Sequence, residues 1–317
     1  MTRVFVYEFL SAGGGGDATL RDAGVAMRDA IVGDLLQLPG VTVSVASDDE
    51  APTLAASPAL HVVRPARDEA APAFVRRQAA AHDLTWVVAP ETAGVLAALQ
   101  AAVEPARWIG SSAAAIATAT SKRATLQALA AAGVATPLDR PDECDRWLVK
   151  PDDGAGTVDT RRHPSRAAAL ADADARRRAG HVVTVEPWVD GEALSVTMRV
   201  DAAGVEALAF NRQRIGVDAD GRLHDDGVDV DALRREGDAR VPPLAALAAR
   251  VAAAIPGLRG VVGFDLVWHP VRGPVVIEVN PRATCAYVGL SQRLGRNVAA
   301  DVLRGHASQH RPEFDHA

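Results

Sequence analysis

Over the first third of the chain, short apolar runs alternate with helix-like stretches. Val4 to Leu10 reads as a buried strand, "SAGGGG" follows, and a helix is predicted up to about Leu38. "VTVSVAS" (Val41–Ser47) alternates as a half-covered strand should. "HVVRP" and "LTWVVAPE" add two strands with helical segments between them. Strand–helix alternation of this kind implies a parallel α/β unit over residues 1–110.

The pattern then changes. "SSAAAIATATSKRATLQALAAAGVATP" predicts helices, with Ser111 or Ser112 as a cap and Gly133 closing the second one before Pro137. "RWLVKPDDGAGT" is a strand entering a glycine loop, and "RAAALADADARRRAG" is a helix ended by Gly180. "VVTVEPWVDGEALSVTMRV" gives two strands around a turn, and "GVEALAFNRQRI" gives another. "DDGVDVDALRREGDARVPPL" is polar and reads as loop. "LAALAARVAAAI" is a helix, and "GVVGFDLVWHPVRGPVVIEVNPR" is a hairpin. The last dozen residues, "HASQHRPEFDHA", are polar and expected to fray. No internal repeat is visible.

Composition narrows the class without naming it. The 317 residues are 48% hydrophobic, enough for a large core and for more than one compact unit. A formal charge of -6 and a pI near 5.9 give no basic nucleic-acid footprint. The two cysteines, Cys144 and Cys285, form neither a metal-spaced pair nor a disulfide framework. No run reaches the ~18 apolar residues that span a bilayer, and the N-terminus lacks the apolar segment of a secretory signal. The expectation is a cytoplasmic protein that engages neither nucleic acid nor membrane; a homodimer is one assembly open to it.

The hairpin carries the first sign of chemistry. Gly263, Asp265 and Val267 share one face of its first strand, and Val276, Glu278 and Asn280 share one of its second. A turn through "HPVRGP" sets Trp268 opposite Val275 and Asp265 opposite Glu278. Two carboxylates facing each other across a ladder repel. A cation between them removes the conflict, and the hard oxygens of Asp265, Glu278 and Asn280 suit Mg²⁺ or Mn²⁺. Mg²⁺ held by few protein ligands usually shares phosphate oxygens, so the site implies a nucleotide. Arg282, just past the strand, can stabilise charge on a transferring phosphoryl group.

The hairpin resembles the metal-binding end of the ATP-grasp superfamily, and other landmarks follow in the family's order. Lys122 in "TSKRATLQALAAAGVATP" looks like its first lysine, and Lys150 in "WLVKPDDGAGT" looks like its second, placed before a glycine-rich loop. Glu186, Trp188 and Val189 in "VEPWVDGEALSV" resemble the hinge that receives adenine. The resemblance spans about Ser111 to Leu303. It implies a mixed α/β (α+β) ATP-grasp fold preceded by a parallel α/β domain. The corresponding division is 1–110, a central part at 111–185 with the glycine loop, a C-terminal part at 186–305 with the metal site, and a polar tail at 306–317. The family often places a ribose-binding acid two residues after the hinge glycine. That position is Ala193 here, which leaves Glu192 as the acid to consider.

"VYEFLSAGG", "VVAPET", "FNRQRI" and "NPRATCAYVGLS" are together similar to the branch containing tyramine–L-glutamate ligases, which form a γ-glutamyl amide early in methanofuran synthesis. Relatives occur in bacteria that use related one-carbon cofactors. The resemblance implies an ATP-dependent carboxylate–amine ligase working through an acyl phosphate, with L-glutamate and an amine such as tyramine as substrates. Lys150 and Lys122 would meet the phosphates. Gly154 and Gly156 would free backbone N–H groups for phosphate oxygens, and Thr157 would add a hydroxyl. "SAGGGG" is not a dinucleotide fingerprint; it reads as a loose connection or a lid.

Other candidates have two readings each. Glu8 and Glu91 end apolar strands, where ligands of parallel sheets gather. Glu8 could instead lie on an exposed edge, and Glu91 could be a helix N-terminal acid. Arg212 and Gln213 could face phosphates or glutamate, or form a polar sheet face. Tyr287 could touch the amine or pack in the core. Cys285 reads as a small buried filler, since no basic partner is evident nearby. Three rivals to the amine ligase are a dipeptide-forming ligase, a carboxylase-type enzyme that activates bicarbonate, and a nucleotide-binding regulator without turnover.

Overall fold

The computed structural model describes residues 1–15, 18–140, 144–154 and 156–309. Strand β1 (Thr2–Glu8) leads into α1 (Ala18–Leu36), β2 (Val41–Ala46), β3 (Leu60–Val63), α2 (Ala71–Ala81), β4 (Leu84–Val88), α3 (Val95–Ala101) and β5 (Trp108–Ile109). The five strands form a parallel sheet in the order β3-β2-β1-β4-β5. The apolar run of β1 is explained by cover on both faces. Val4 and Val6 enter one core with α1, while Phe5 and Tyr7 enter another with α2 and α3.

Helices α4 (Ala113–Thr120) and α5 (Lys122–Ala131) follow, capped by Ser112 and Ser121. The next unit is small: β6 (Trp147–Pro151), β7 (Arg161–His163), α6 (Arg166–Arg178) and β8 (Val183–Pro187) make a sheet ordered β7-β6-β8 under one helix. The chain then enters a five-stranded antiparallel sheet, ordered β11-β10-β9-β12-β13. Its strands are β9 (Glu192–Asp201), β10 (Gly204–Val217), β11 (Leu223–Asp229), β12 (Gly260–His269) and β13 (Gly273–Asn280). Helices α7 (Ala232–Arg235) and α8 (Val241–Ala254) lie between β11 and β12, and α9 (Leu290–Leu294) and α10 (Val298–Gln309) close the chain.

The two strands read around a turn, β8 and β9, belong to different sheets. Gly191 makes the switch at φ +149°, where an added Cβ would lie 2.2 Å from the Trp268 carbonyl oxygen. Three expectations need correction. The segment read as polar loop contains β11 from Asp225 onward, where exposed polar residues face solvent while Val228 pairs with Gln213, and it contains α7 as well. Residues up to 309 continue α10 rather than fraying; the rest of the expected tail lies outside the described residues. In the hairpin, Asp265 does pair with Glu278, but Trp268 pairs with Pro274. A bulge puts Ile277 in as an extra residue, so Val276 turns into the core while Ile277 joins Glu278 on the open face.

Candidate active site

A cleft of about 290 Å³ separates the three-stranded sheet from the antiparallel sheet. Lys150 and Glu186 face it from the smaller side, diagonally placed because β6 and β8 pair Lys150 with Thr184 and Leu148 with Glu186. Lys150 Nζ lies 2.8 Å from Glu186 Oε1 as an ion pair. Neither Nζ nor Glu186 Oε2 has a hydrogen-bond partner of good geometry, although both are buried. Unsatisfied groups of this kind are costly unless a ligand completes them.

Lys122 enters at the first turn of α5. Its backbone N–H donates to Asp152 O at 2.9 Å. Its ammonium pairs with Glu278 Oε2 at 2.9 Å and donates to Gly154 O, so it is a buried group and not a solvated helix residue. Burial opposes its charge, yet Glu278, helped by Glu91 and Glu186, outweighs this, and the pKa is raised.

The carboxylate pair lies behind it. Asn280 Nδ2 donates to Asp265 Oδ2 at 3.3 Å, and Gln213 Nε2 donates to Oδ1 at 3.1 Å. Burial, with Glu278 beside it, pushes the Asp265 carboxyl well above its ordinary range. Burial also opposes ionisation of Glu278, but Lys122 and Lys150 outweigh it and hold that carboxyl low. One carboxylate is therefore ionised and the other inclined to keep a proton, the arrangement a divalent cation would replace. Among the described residues no cluster of three or more His, Cys, Asp or Glu forms a closed cage. Two carboxylates and an amide fit a cation that shares phosphate oxygens.

The remaining predicted residues divide. Gly156, Thr157, Trp188, Val189 and Gln213 line the cleft, while Gly154 offers its carbonyl to Lys122. The Trp188 ring carries the Arg162 guanidinium at 5.2 Å, and its Nε1 donates to Asp190. Glu192 points elsewhere: it binds Arg212 at 2.6 Å and Arg240 at 2.5 Å, and Ala193 takes the lining position. Arg212 also pairs with Glu236, so the Arg212 and Gln213 side chains serve different faces of β10. Tyr287 is core, donating its hydroxyl to Asp34 at 2.8 Å and meeting Trp86 edge-on at 5.9 Å. Glu8 is neither an exposed edge nor open to an amine; it is buried and accepts the N–H groups of Leu10 and Ser11. Burial raises its pKa. Glu91 and Arg282 face each other in a two-point pair of 3.0 and 2.9 Å. Cys285 is exposed rather than buried.

Sequence reading missed part of the wall. Ile215 and Val217 continue the face of Gln213 along β10, and Leu223 and Asp225 do the same on β11. The period-two spacing of Gln213, Ile215 and Val217 was available as a signal. Asp225 was not, because its strand was read as loop.

The chain matches the ATP-grasp domain over residues 119–286 and the pre ATP-grasp 3 domain over residues 41–116. It belongs to the ATP-grasp family. Among solved structures, an ATP-grasp superfamily protein from Archaeoglobus fulgidus is 24% identical with a TM-score of 0.71, over 96% of this chain and 89% of that one. The L-amino acid ligase from Bacillus licheniformis is 18% identical with a TM-score of 0.61, over 96% and 73%. The biotin carboxylase domain of the Hydrogenobacter thermophilus 2-oxoglutarate carboxylase, solved with MgADP and bicarbonate, is 13% identical with a TM-score of 0.67, over 99% and 71%. No curated protein matches the sequence. No described helix is long and apolar enough to cross a membrane.

Proposed function

We propose that the protein is an ATP-dependent ligase that activates a carboxylate as an acyl phosphate and passes the acyl group to an amine. The observation that carries this reading is the cleft itself. Two buried lysines and the buried Glu186 meet the Asp265–Glu278 pair there, and Lys150 Nζ and Glu186 Oε2 are left for a ligand. Lys150 and Lys122 would hold the phosphates, Gly156 and Thr157 would cover them, and Glu186, Trp188 and Val189 would receive the adenine. Asp265, Glu278 and Asn280 would hold Mg²⁺ or Mn²⁺, which supplies charge neutralisation at the phosphates.

In the first step the substrate carboxylate oxygen attacks the γ-phosphorus, the bond to the β-phosphate oxygen breaks, and ADP is formed. In the second the amine nitrogen attacks the acyl carbon, the bond to phosphate breaks, and the amine proton is lost. The chain's part in both is positioning and screening of charge. The substrates proposed are L-glutamate through its γ-carboxylate and tyramine or a tyrosine-like amine, in methanofuran-type cofactor synthesis. Only the short sequence resemblances support this finer reading.

The test is ADP and phosphate release with MgATP, L-glutamate and an amine panel that includes tyramine, with mass spectrometry of the products. A γ-glutamyl amide is expected. Amide formation only with other amino acids keeps the ligase and discards glutamate–tyramine. ADP release that requires bicarbonate and free biotin, with no amide formed, replaces the ligase by a carboxylase, whose fold is equally near.

A further inference from the structure

Glu91 was a candidate for the substrate, but its geometry gives it another task. Both of its oxygens are turned into the protein. Oε1 accepts from Arg282 Nε at 3.0 Å and Oε2 from Nη2 at 2.9 Å, with the side chains 6% and 12% exposed. Arg282 Nη1 donates to the Ala283 carbonyl at 3.3 Å. A guanidinium has five N–H groups. Three are engaged, and among the described residues the other two have no protein acceptor. They sit one on each terminal nitrogen, the spacing that grips an oxyanion at two points.

The support around the pair is built from several elements. Glu91 follows β4, at the point where β4 and β1 lie side by side and the chain order of the parallel sheet reverses. The turn after it is pinned by the glycine loop, because Asp153 Oδ2 accepts the N–H of Ala93 at 2.8 Å. On the other side, Ser111 donates its hydroxyl to the carbonyl of Pro281, the residue before Arg282, at 2.9 Å. The guanidinium is thus fixed from the N-terminal sheet, by a residue whose position is tied to the loop over the cleft.

We infer that Glu91 is a positioning residue that aims the free N–H pair of Arg282 at the transferring phosphoryl group. This rests on the ligase reading above for the phosphoryl group, and on the charge of Glu278, which lines the cleft and reaches Arg282. Without Glu91 the guanidinium keeps its charge but loses its direction, so an anion beside bound nucleotide is held less well while the nucleotide itself is not.

The experiment therefore uses inorganic phosphate as the probe, titrated by calorimetry into protein saturated with MgADP. Wild type, Glu91→Gln, Arg282→Lys and the double variant are compared, with thermal unfolding of each. Glu91→Gln is expected to weaken phosphate binding about tenfold, with MgADP affinity changed less than twofold. The double variant should be no weaker than Arg282→Lys alone, because Glu91 acts through Arg282. Glu91→Asp, which keeps the carboxylate, should recover part of the loss. Unchanged phosphate affinity in Glu91→Gln, no phosphate binding in wild type, or additive losses in the double variant would each overturn the inference. If Glu91→Gln unfolds, Glu91→Asp is compared with wild type instead: its shorter reach should weaken phosphate binding by less than tenfold but measurably, and an affinity equal to that of wild type overturns the inference. Absence of MgADP binding in wild type would overturn the ligase reading as well, whereas MgADP binding without a phosphate response overturns only the role of Glu91.

Discussion

Glu278 carries more of the site than any other side chain. It faces Asp265 across the hairpin, pairs with Lys122, and is held ionised by Lys122 and Lys150 against its own burial. Glu278→Gln keeps the shape and removes the charge. Metal-dependent ADP release should fall at least about 100-fold, the size of losing one preorganised electrostatic contact. The unfolding midpoint should move only slightly, because Gln still hydrogen-bonds Lys122. Turnover near that of wild type would remove Glu278 from the proposed metal site. The sequence exposed this residue because an acid opposite an acid is an anomaly in a strand, readable from local order alone. It could not reveal that Glu192 and Arg212 pair with each other rather than with ligand, since the decisive partners, Glu236 and Arg240, come from a segment with no periodic signal.

At the scale of elements, the β10–β11 hairpin clasps the small sheet. Arg162 N donates to Gly221 O at 2.7 Å and Leu223 N to Thr160 O at 3.0 Å, while Arg161 Nε reaches Asp220 O at 2.8 Å. Gly221 has φ +82°, and an added Cβ would lie 2.2 Å from the Arg162 carbonyl oxygen. Both walls of the cleft meet at this turn, for Thr160 and Leu223 also line it. Gly221→Ala meets the steric clash and a conformational cost of about 1–3 kcal/mol. It should open the clasp and speed release of a fluorescent ADP analogue roughly tenfold, as 1.4 kcal/mol of that cost corresponds to. An unchanged release rate in stopped flow would show that nucleotide leaves by another route. The hairpin was half legible. The alternation in β10 gave one strand, whereas β11, with three aspartates in seven residues, is held by pairing to β10 and has little pattern of its own.

At the scale of the whole molecule, the first and last parts of the chain share one core. Val4, Ile31 and Trp86 cluster with Ala283, Tyr287, Leu290 and Val298. Asp34 ties the two together, accepting hydrogen bonds from Tyr287 at 2.8 Å and Ser291 at 2.5 Å. Burial raises its pKa although both hydroxyls favour the charged form. The folded protein therefore binds this proton more tightly than the unfolded chain does. The contribution is full below the ordinary carboxylate range and is lost as pH rises through the raised folded value. Asp34→Asn keeps an acceptor and cannot ionise. The difference in unfolding midpoint, variant minus wild type, should grow as pH rises from about 4, near the ordinary Asp value. A difference that stays flat from pH 4 to 8 would show that the charge of Asp34 costs nothing.

The sequence by itself determined which segments are strands and helices wherever one face is buried, because burial imposes a period of two or of 3.6 on neighbouring residues. It also placed Asp265 opposite Glu278, since a hairpin joins residues close in the chain. Tertiary structure alone decided that Lys150 meets Glu186, that Arg282 meets Glu91, and that Tyr287 belongs to the core with Asp34. Those partners are far apart in sequence, and local periodicity carries no information about which distant face will close on which. The bulge at Ile277 belongs with them: one extra residue shifts the register of half a hairpin, and only the packing of Val276 into the core shows where it falls.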